Sequence, residues 1–155
     1  MRAITRDPSK PSALALAQLG AEVVAADFSN GASLRTALAG AHVIFAITNF
    51  WDQNSFELEV AQGKLVNGVA SQIPELEHYI FSALPDGRKI ADGRFQRILP
   101  YNAKAAIRED LMSNHPGLWK KTTEVWVAYY YQNWLKFGPV FGPQKVRRVL
   151  QASPL

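Results

Sequence analysis

Arg2-Ala3-Ile4-Thr5-Arg6-Asp7, then the stretch Ala13–Leu19 closed by Gly20, then Ala21-Glu22-Val23-Val24-Ala25-Ala26-Asp27 decide the fold of this chain. The first piece reads as a buried strand ending in a charged turn, the second as a helix, the third as another strand. Strand, helix and strand joined by short connections are the grammar of a parallel α/β sheet. Asp7-Pro8-Ser9-Lys10-Pro11 leads into the helix with proline where a first turn tolerates it. Gly20 suits that helix's C-terminus.

The same alternation continues. Phe28-Ser29-Asn30-Gly31 is a turn, Leu34, Ala37 and Leu38 recur at helical spacing, and Gly40 closes that helix. His42-Val43-Ile44-Phe45-Ala46-Ile47-Thr48 reads as a strand apolar on both faces, as a central parallel strand is. Phe56–Ser71 reads as a long helix with Leu58, Ala61, Leu65 and Val69 as its inner stripe. Tyr79-Ile80-Phe81-Ser82-Ala83 is a fourth strand, Pro85–Pro100 a basic loop, Asn102–Met112 a helix and Thr122–Ala128 a fifth strand. Residues 1–137 thus form one α/β unit, and Gly138-Pro139 and Gly142-Pro143 predict an irregular tail over 138–155.

Composition narrows the function classes. With 155 residues, 48% of them apolar, the chain suits one domain with a core. No apolar run approaches the ~18 residues of a membrane span, and no leader peptide is read at the start. No cysteine is present, which excludes disulfides, thiol nucleophiles and thiolate zinc sites, and His42, His78 and His115 show no ligand spacing. A metal is therefore not expected, and the cytoplasm or the nucleus is the expected location. Residues 1–60 hold 4 Lys/Arg against 6 Asp/Glu, whereas residues 61–155 hold 13 against 7. Arg88, Lys89, Arg94, Arg97, Lys104 and Arg108 fall in one stretch, readable as a solvated face or as a phosphate-binding patch. With no nucleic-acid-binding motif beside it, direct nucleic-acid binding is not expected.

Several stretches together resemble the NmrA-like family, an atypical branch of the short-chain dehydrogenase/reductase fold. They are Arg2–Pro8, Gly20-Ala21-Glu22-Val23-Val24, Ala39-Gly40-Ala41, Thr48-Asn49-Phe50-Trp51, Glu59-Val60-Ala61-Gln62-Gly63-Lys64 and Ser82-Ala83-Leu84-Pro85. The resemblance implies an α/β, Rossmann-type three-layer fold and an NAD(P)-binding protein. It implies an oxidoreductase, often of fungal biosynthesis, or a redox-sensing regulator acting through protein partners. Two departures stand out. The first strand and its glycine-rich turn are missing, with no G-x-G-x-x-G or G-x-x-G-x-x-G anywhere, and the region after the fifth strand is short. The chain reads as a family member truncated at both ends, with an incomplete parallel sheet and weak or lost NADP binding. Without the central strand, the Ala3 strand is expected either to pair directly with the Val43 strand or to leave the fold loosened there.

The resemblance also carries roles onto residues. Arg6 ends a strand whose tip meets the adenosine ribose, where an arginine favours a 2′-phosphate; Lys10 shares that role more weakly. Asp27 and Phe28 end the next strand near the adenine, with a turn or capping role as the alternative for Asp27. Thr48, Asn49 and Phe50 end the third strand beside the crevice where ligands of open α/β sheets collect. The superfamily's Tyr-x-x-x-Lys pair is displaced: Lys104 is present, position 100 is proline, and Tyr101 lies three residues before Lys104. Ser82, Tyr101 and Lys104 form a candidate remnant of a proton relay, with Lys104 also a candidate cofactor contact. Trp119, Trp126, Tyr129, Tyr130, Tyr131 and Trp134 crowd one region, and such density predicts a protein partner or self-association through residues 119–142.

Overall fold

A computed structural model describes residues 1–90, 92–94, 96–127, 130–136 and 138. The apolar runs become strands β1 (Arg2–Thr5), β2 (Glu22–Ala25), β3 (Val43–Ala46), β4 (His78–Ala83) and β5 (Thr122–Trp126). Between them lie helices α1 (Pro11–Gln18), α2 (Gly31–Leu38), α3 (Phe56–Ala70), the short α4 (Gly87–Ile90), α5 (Leu99–Asn114) and the short α6 (Pro116–Trp119). A short α7 (Gln132–Lys136) follows β5. Helix ends follow local chemistry. Asn30 Oδ1 accepts from the amides of Ala32 and Ser33 at 3.0 and 3.1 Å, and Ser55 Oγ accepts from Leu58 N at 3.2 Å. Gly20 and Gly40 leave α1 and α2 at φ of 87° and 67°, a conformation that penalises any Cβ.

All strand pairings are parallel, but the sheet is split. β1 pairs with β2 from Arg2↔Glu22 to Thr5↔Ala25, while β3, β4 and β5 form a separate sheet in that order. The expected direct pairing of the Ala3 and Val43 strands is not made: β1 and β3 do not pair, and each keeps an unpaired edge among the described residues. The halves are joined by other means. Helices α2, α3 and α5 pack into a continuous layer that also touches β2 and β4. Arg2 Nη1 donates to the carbonyls of Ala37 and Ala39 at 2.8 and 3.1 Å, fastening β1 to the end of α2.

The core lies between that helix layer and the two sheets, with Leu34, Ile44, Val66, Tyr79, Phe81, Ile107 and Leu111 inside it. β3 departs from the expected two-sided burial. Ile44 and Ala46 face the core, but Val43 and Phe45 are each 57% exposed and Ile47 is 51% exposed. α1 packs chiefly on β1 and β2, and the second face of β3 is left exposed among the described residues. α3 also departs from its expected stripe. Its inner face is Glu59, Gly63, Val66, Asn67, Val69 and Ala70; Val69 is common to both, whereas Ala61 is exposed and Leu58 and Leu65 are half-buried. Two of these inward residues are polar, which displaces the face from where apolar periodicity puts it.

Within the expected Pro85–Pro100 loop, Gly87–Ile90 makes one helical turn. The expected tail over 138–155 lies outside the described residues apart from Gly138, as does Ala128 at the end of the expected fifth strand. Among the described residues, no helix is long and apolar enough to cross a membrane.

Candidate functional site

The C-terminal ends of β1, β2 and β3 converge on a cleft of ≈ 220 Å³ lined by Ile4, Thr5, Arg6, Ala26, Asp27, Phe28, Ile47, Asn49, Asp52 and Gln62. Parallel strands place such a crevice at their carboxyl ends because the connecting loops splay apart there. Four of the sequence-predicted residues therefore meet: Arg6, Asp27, Phe28 and Asn49. Arg6 reaches across the split to Asp52, its Nη2 lying 3.0 Å from the carboxylate, so the guanidinium is held over the cleft by an ion pair that joins the two half-sheets. Asp27 Oδ1 accepts from Ser29 N at 2.7 Å, and Asn49 Oδ1 accepts from Trp51 N at 3.2 Å. Both side chains thus shape the turns that wall the cleft, the alternative left open for Asp27. Gln62 donates to Ser29 Oγ at 3.1 Å and ties α3 to the β2 turn.

Lys10, Thr48 and Phe50 are placed elsewhere. Lys10 precedes α1 and does not line the cleft. Phe50 is buried, its ring edge-on to Trp51 at 5.4 Å, and anchors the loop from below. Thr48 turns inward to a second cluster. Its hydroxyl donates to Glu59 Oε1 at 2.6 Å, while Lys104 Nζ donates to Thr48 Oγ1 at 2.9 Å and to Thr48 O at 3.0 Å. Lys104 Nζ also lies 3.5 Å from Glu59 Oε1 and 6.0 Å from the centre of the Phe81 ring. Burial holds the Lys104 amine below the usual lysine range, with the Glu59 charge working against that shift.

Lys104 can reach this cluster because α3 and α5 pack unusually close. A Cβ at Gly63 would lie 2.4 to 2.8 Å from three atoms of Ile107, closer than real contacts come. Glu59 is one turn before Gly63 and Lys104 one turn before Ile107, so the glycine contact sets the approach that brings the amine to the carboxylate. A third polar group is structural. The fully buried Asn67 donates to Ile107 O and Asp110 Oδ2 and accepts from Tyr79 Oη, all within 3.2 Å. The same burial pushes the Tyr79 phenol up.

Ser82, Tyr101 and Lys104 are not assembled as a relay. Ser82 is half-buried in β4, Tyr101 is partly exposed at the start of α5, and no hydrogen bond among the described residues joins Lys104 to either. The basic run is dispersed as well. Arg88 pairs with Asp86 at 2.8 Å, Lys104 is internal, and Arg108 pairs with Glu124 at 2.7 Å and stacks over Trp119 at 5.1 Å. Trp119 is accordingly half-buried, whereas Trp126, Tyr130, Tyr131, Trp134 and Leu135 are exposed; Tyr129 lies outside the described residues. Among the described residues, no cluster of three or more carboxylates and histidines is placed to hold a metal ion.

Sequence reasoning did not select Asp52, Glu59 or Gln62. Glu59 and Gln62 sit in a stretch that carries the family resemblance but no assigned role, and Glu59 in a first helical turn reads as an acid complementing the helix dipole. Its partners are remote in sequence.

The pattern of the NmrA-like family matches residues 1–151. Among relatives, an NmrA-like family domain-containing oxidoreductase of Aspergillus hancockii is 28% identical over 148 residues, which is 92% of this chain and 43% of that protein. A second such protein, of Aspergillus versicolor, is 33% identical over 99 residues, 61% of this chain and 28% of that protein. Among solved structures, NmrA, a negative transcriptional regulator, superposes with a TM-score of 0.70 at 22% identity, covering 85% of this chain and 38% of its own. An NADPH-dependent quinone oxidoreductase of Escherichia coli in complex with NADPH gives 0.65 at 22% identity, covering 90% of this chain and 43% of its own. The chain spans less than half the length of these proteins.

Proposed function

The chain belongs to the NmrA-like family, and from that premise we propose that it carries the adenosine-2′-phosphate end of an NADP(H) site in an oxidoreductase of fungal type, and binds the whole cofactor only weakly. The observation that carries this reading is Arg6 at the tip of β1, its guanidinium suspended over the cleft at the strand ends. A planar, permanently charged fork matches the oxygens of a phosphate monoester. Apolar Ile4, Ala26, Phe28 and Ile47 supply a surface on which a purine could lie. The fit stops at the pyrophosphate. That group calls for a glycine-lined backbone turn at a helix N-terminus, and none of the positive-φ glycines, Gly20, Gly40 and Gly93, lines the cleft. A bound nicotinamide would supply hydride; this chain's own part is to hold and orient the adenosine half.

The test is calorimetry on the purified chain with NADPH, NADH and adenosine 2′,5′-bisphosphate. The expected result is no saturation by NADPH at micromolar concentration, with weaker binding at higher concentration that the bisphosphate shares, NADH lacks and Arg6→Ala abolishes. Equal binding of NADPH and NADH, untouched by Arg6→Ala, would overturn the 2′-phosphate reading. A second reading, a non-catalytic regulator working through a protein partner, is favoured by the exposed Trp126, Tyr130, Tyr131, Trp134 and Leu135. Tyrosine and tryptophan are the residues interfaces favour.

A further inference from the structure

Lys104, Thr48 and Glu59 are 9%, 5% and 2% exposed, yet together they hold two groups that are ordinarily charged. Taking such a pair out of water costs several kcal/mol per ion, and replacing a buried pair by apolar side chains of similar volume is often neutral or stabilising. The geometry shows what the charges do instead. Two of the three Lys104 N–H groups go to one residue, to the carbonyl and the hydroxyl of Thr48. The hydroxyl then donates its own hydrogen bond to Glu59 over 2.6 Å, a short bond to an ionisable acceptor. Glu59 Oε2 has no partner among the described residues, and the direct Lys104–Glu59 separation of 3.5 Å is long for a hydrogen bond. The carboxylate therefore acts on the amine in two ways, by its charge at 3.5 Å and by the hydrogen bond that orients the Thr48 hydroxyl. That residue is followed at once by Asn49-Phe50-Trp51-Asp52, whose Asn49 and Asp52 wall the cleft and whose Asp52 holds Arg6.

We propose that Glu59 is a positioning residue: through the Thr48 hydroxyl it fixes Lys104 on the Thr48 carbonyl, and this clamp holds the Asn49–Asp52 wall in the shape that receives a nucleotide. The last step rests on the nucleotide reading of the cleft; the clamp itself does not. Lys104 is a structural cation in this scheme. It is faced by Thr48 from the end of β3, by Glu59 from α3 and by the Phe81 ring from β4. The three elements meet at one nitrogen, so loosening any of them is felt at the cleft although none of the three side chains lines it.

The test uses the whole chain with Glu59→Gln, Thr48→Val and Thr48→Ser. Amide hydrogen exchange over residues 49–54 should quicken about tenfold or more in Glu59→Gln and Thr48→Val, the scale set by one lost hydrogen bond to a charged group. Thr48→Ser, which keeps the hydroxyl, should stay within about threefold of the parent. The Lys104 amine, followed by nitrogen-detected NMR, should titrate at lower pH in Glu59→Gln, because the opposing charge is gone; a purely space-filling role for Glu59 would leave it unmoved. If a single variant does not fold, Glu59→Gln/Lys104→Met removes both charges and should fold with the same loosening of 49–54. Unchanged exchange there in a folded variant would overturn the clamp. So would failure of the double variant to fold, since the cluster would then serve the core and not the wall. Failure of NADPH or adenosine 2′,5′-bisphosphate to bind the parent, with the exchange result intact, would reject the nucleotide reading alone.

Discussion

Replacing Gly63 by alanine puts a methyl group where the structure has none to spare. By helix propensity alone, Gly→Ala in the middle of α3 should stabilise by about 1 kcal/mol. The geometry predicts the opposite sign. The new Cβ would sit 2.4, 2.5 and 2.8 Å from the Cδ1, Cγ1 and Cγ2 atoms of Ile107. Ile107 is fully buried, so it cannot swing into solvent to make room. Overpacking of this kind costs about 1–3 kcal/mol, and a conflict with an entire branched side chain belongs at the upper end. The net expectation is a loss of about 2 kcal/mol, or about 4–8 °C in Tm for a chain of this size. Urea unfolding followed by circular dichroism reads it directly. Ile107→Ala removes all three conflicting atoms and alone should cost about 3 kcal/mol. Combined with Gly63→Ala it should cost clearly less than the sum, because the added methyl then occupies the space the isoleucine leaves. A Gly63→Ala variant that melts higher than the parent, or a strictly additive double variant, would refute the close approach of α3 and α5 and with it the route by which Lys104 reaches Glu59.

Asp52→Asn frees the Arg6 guanidinium from its competing carboxylate, so it should tighten binding of adenosine 2′,5′-bisphosphate severalfold by calorimetry; weaker binding would mean that Asp52 positions Arg6 and does not compete for it. Arg88, hydrogen-bonded to Asp86, depresses that carboxyl to about 2. Since the folded value lies below the unfolded one, the stabilisation is present above about pH 4 and disappears as pH falls towards 2, and solvent screening keeps it below about 1 kcal/mol. Urea midpoints of Asp86→Asn should therefore lie slightly below the parent at neutral pH and converge with it in acid. The exposed Trp126, Tyr130, Tyr131, Trp134 and Leu135 should make sedimentation of the parent concentration-dependent, and Tyr131→Ser/Leu135→Ser should reduce that dependence; a clean monomer at high concentration would dismiss this surface as an interface.

The strands and main helices were legible because each is a short apolar or periodic run bounded by a residue with a clear backbone role, such as Asn30, Gly20 or Gly40. The cleft was partly legible for the same reason. Once β1, β2 and β3 are placed in parallel, Arg6, Asp27, Phe28 and Asn49 must gather at their ends. The inward face of α3 was not legible. Glu59 and Asn67 are buried because Thr48, Lys104, Tyr79 and Asp110 meet them, partners up to 45 positions distant that leave no mark on local periodicity. Thr48 and Phe50 share with Asn49 the end of the third strand, where ligands of open α/β sheets collect, but the chain turns there and carries both inward. The open face of β3 could not be read from its composition, since an apolar strand looks the same whether or not a second layer covers it.

That open face and the facing edges of β1 and β3 have a thermodynamic consequence. Among the described residues, unpaired N–H and C=O groups along two strands, with Val43 and Phe45 uncovered beside them, form a template that exists only when the chain is folded. Any extended segment that adds itself there binds the native state and not the unfolded one. At a hundredfold excess over its dissociation constant, such a segment would raise the free energy of unfolding by about 2.7 kcal/mol. Where such a segment binds, the melting temperature of this chain would become a titratable quantity, rising with the concentration of the added polypeptide.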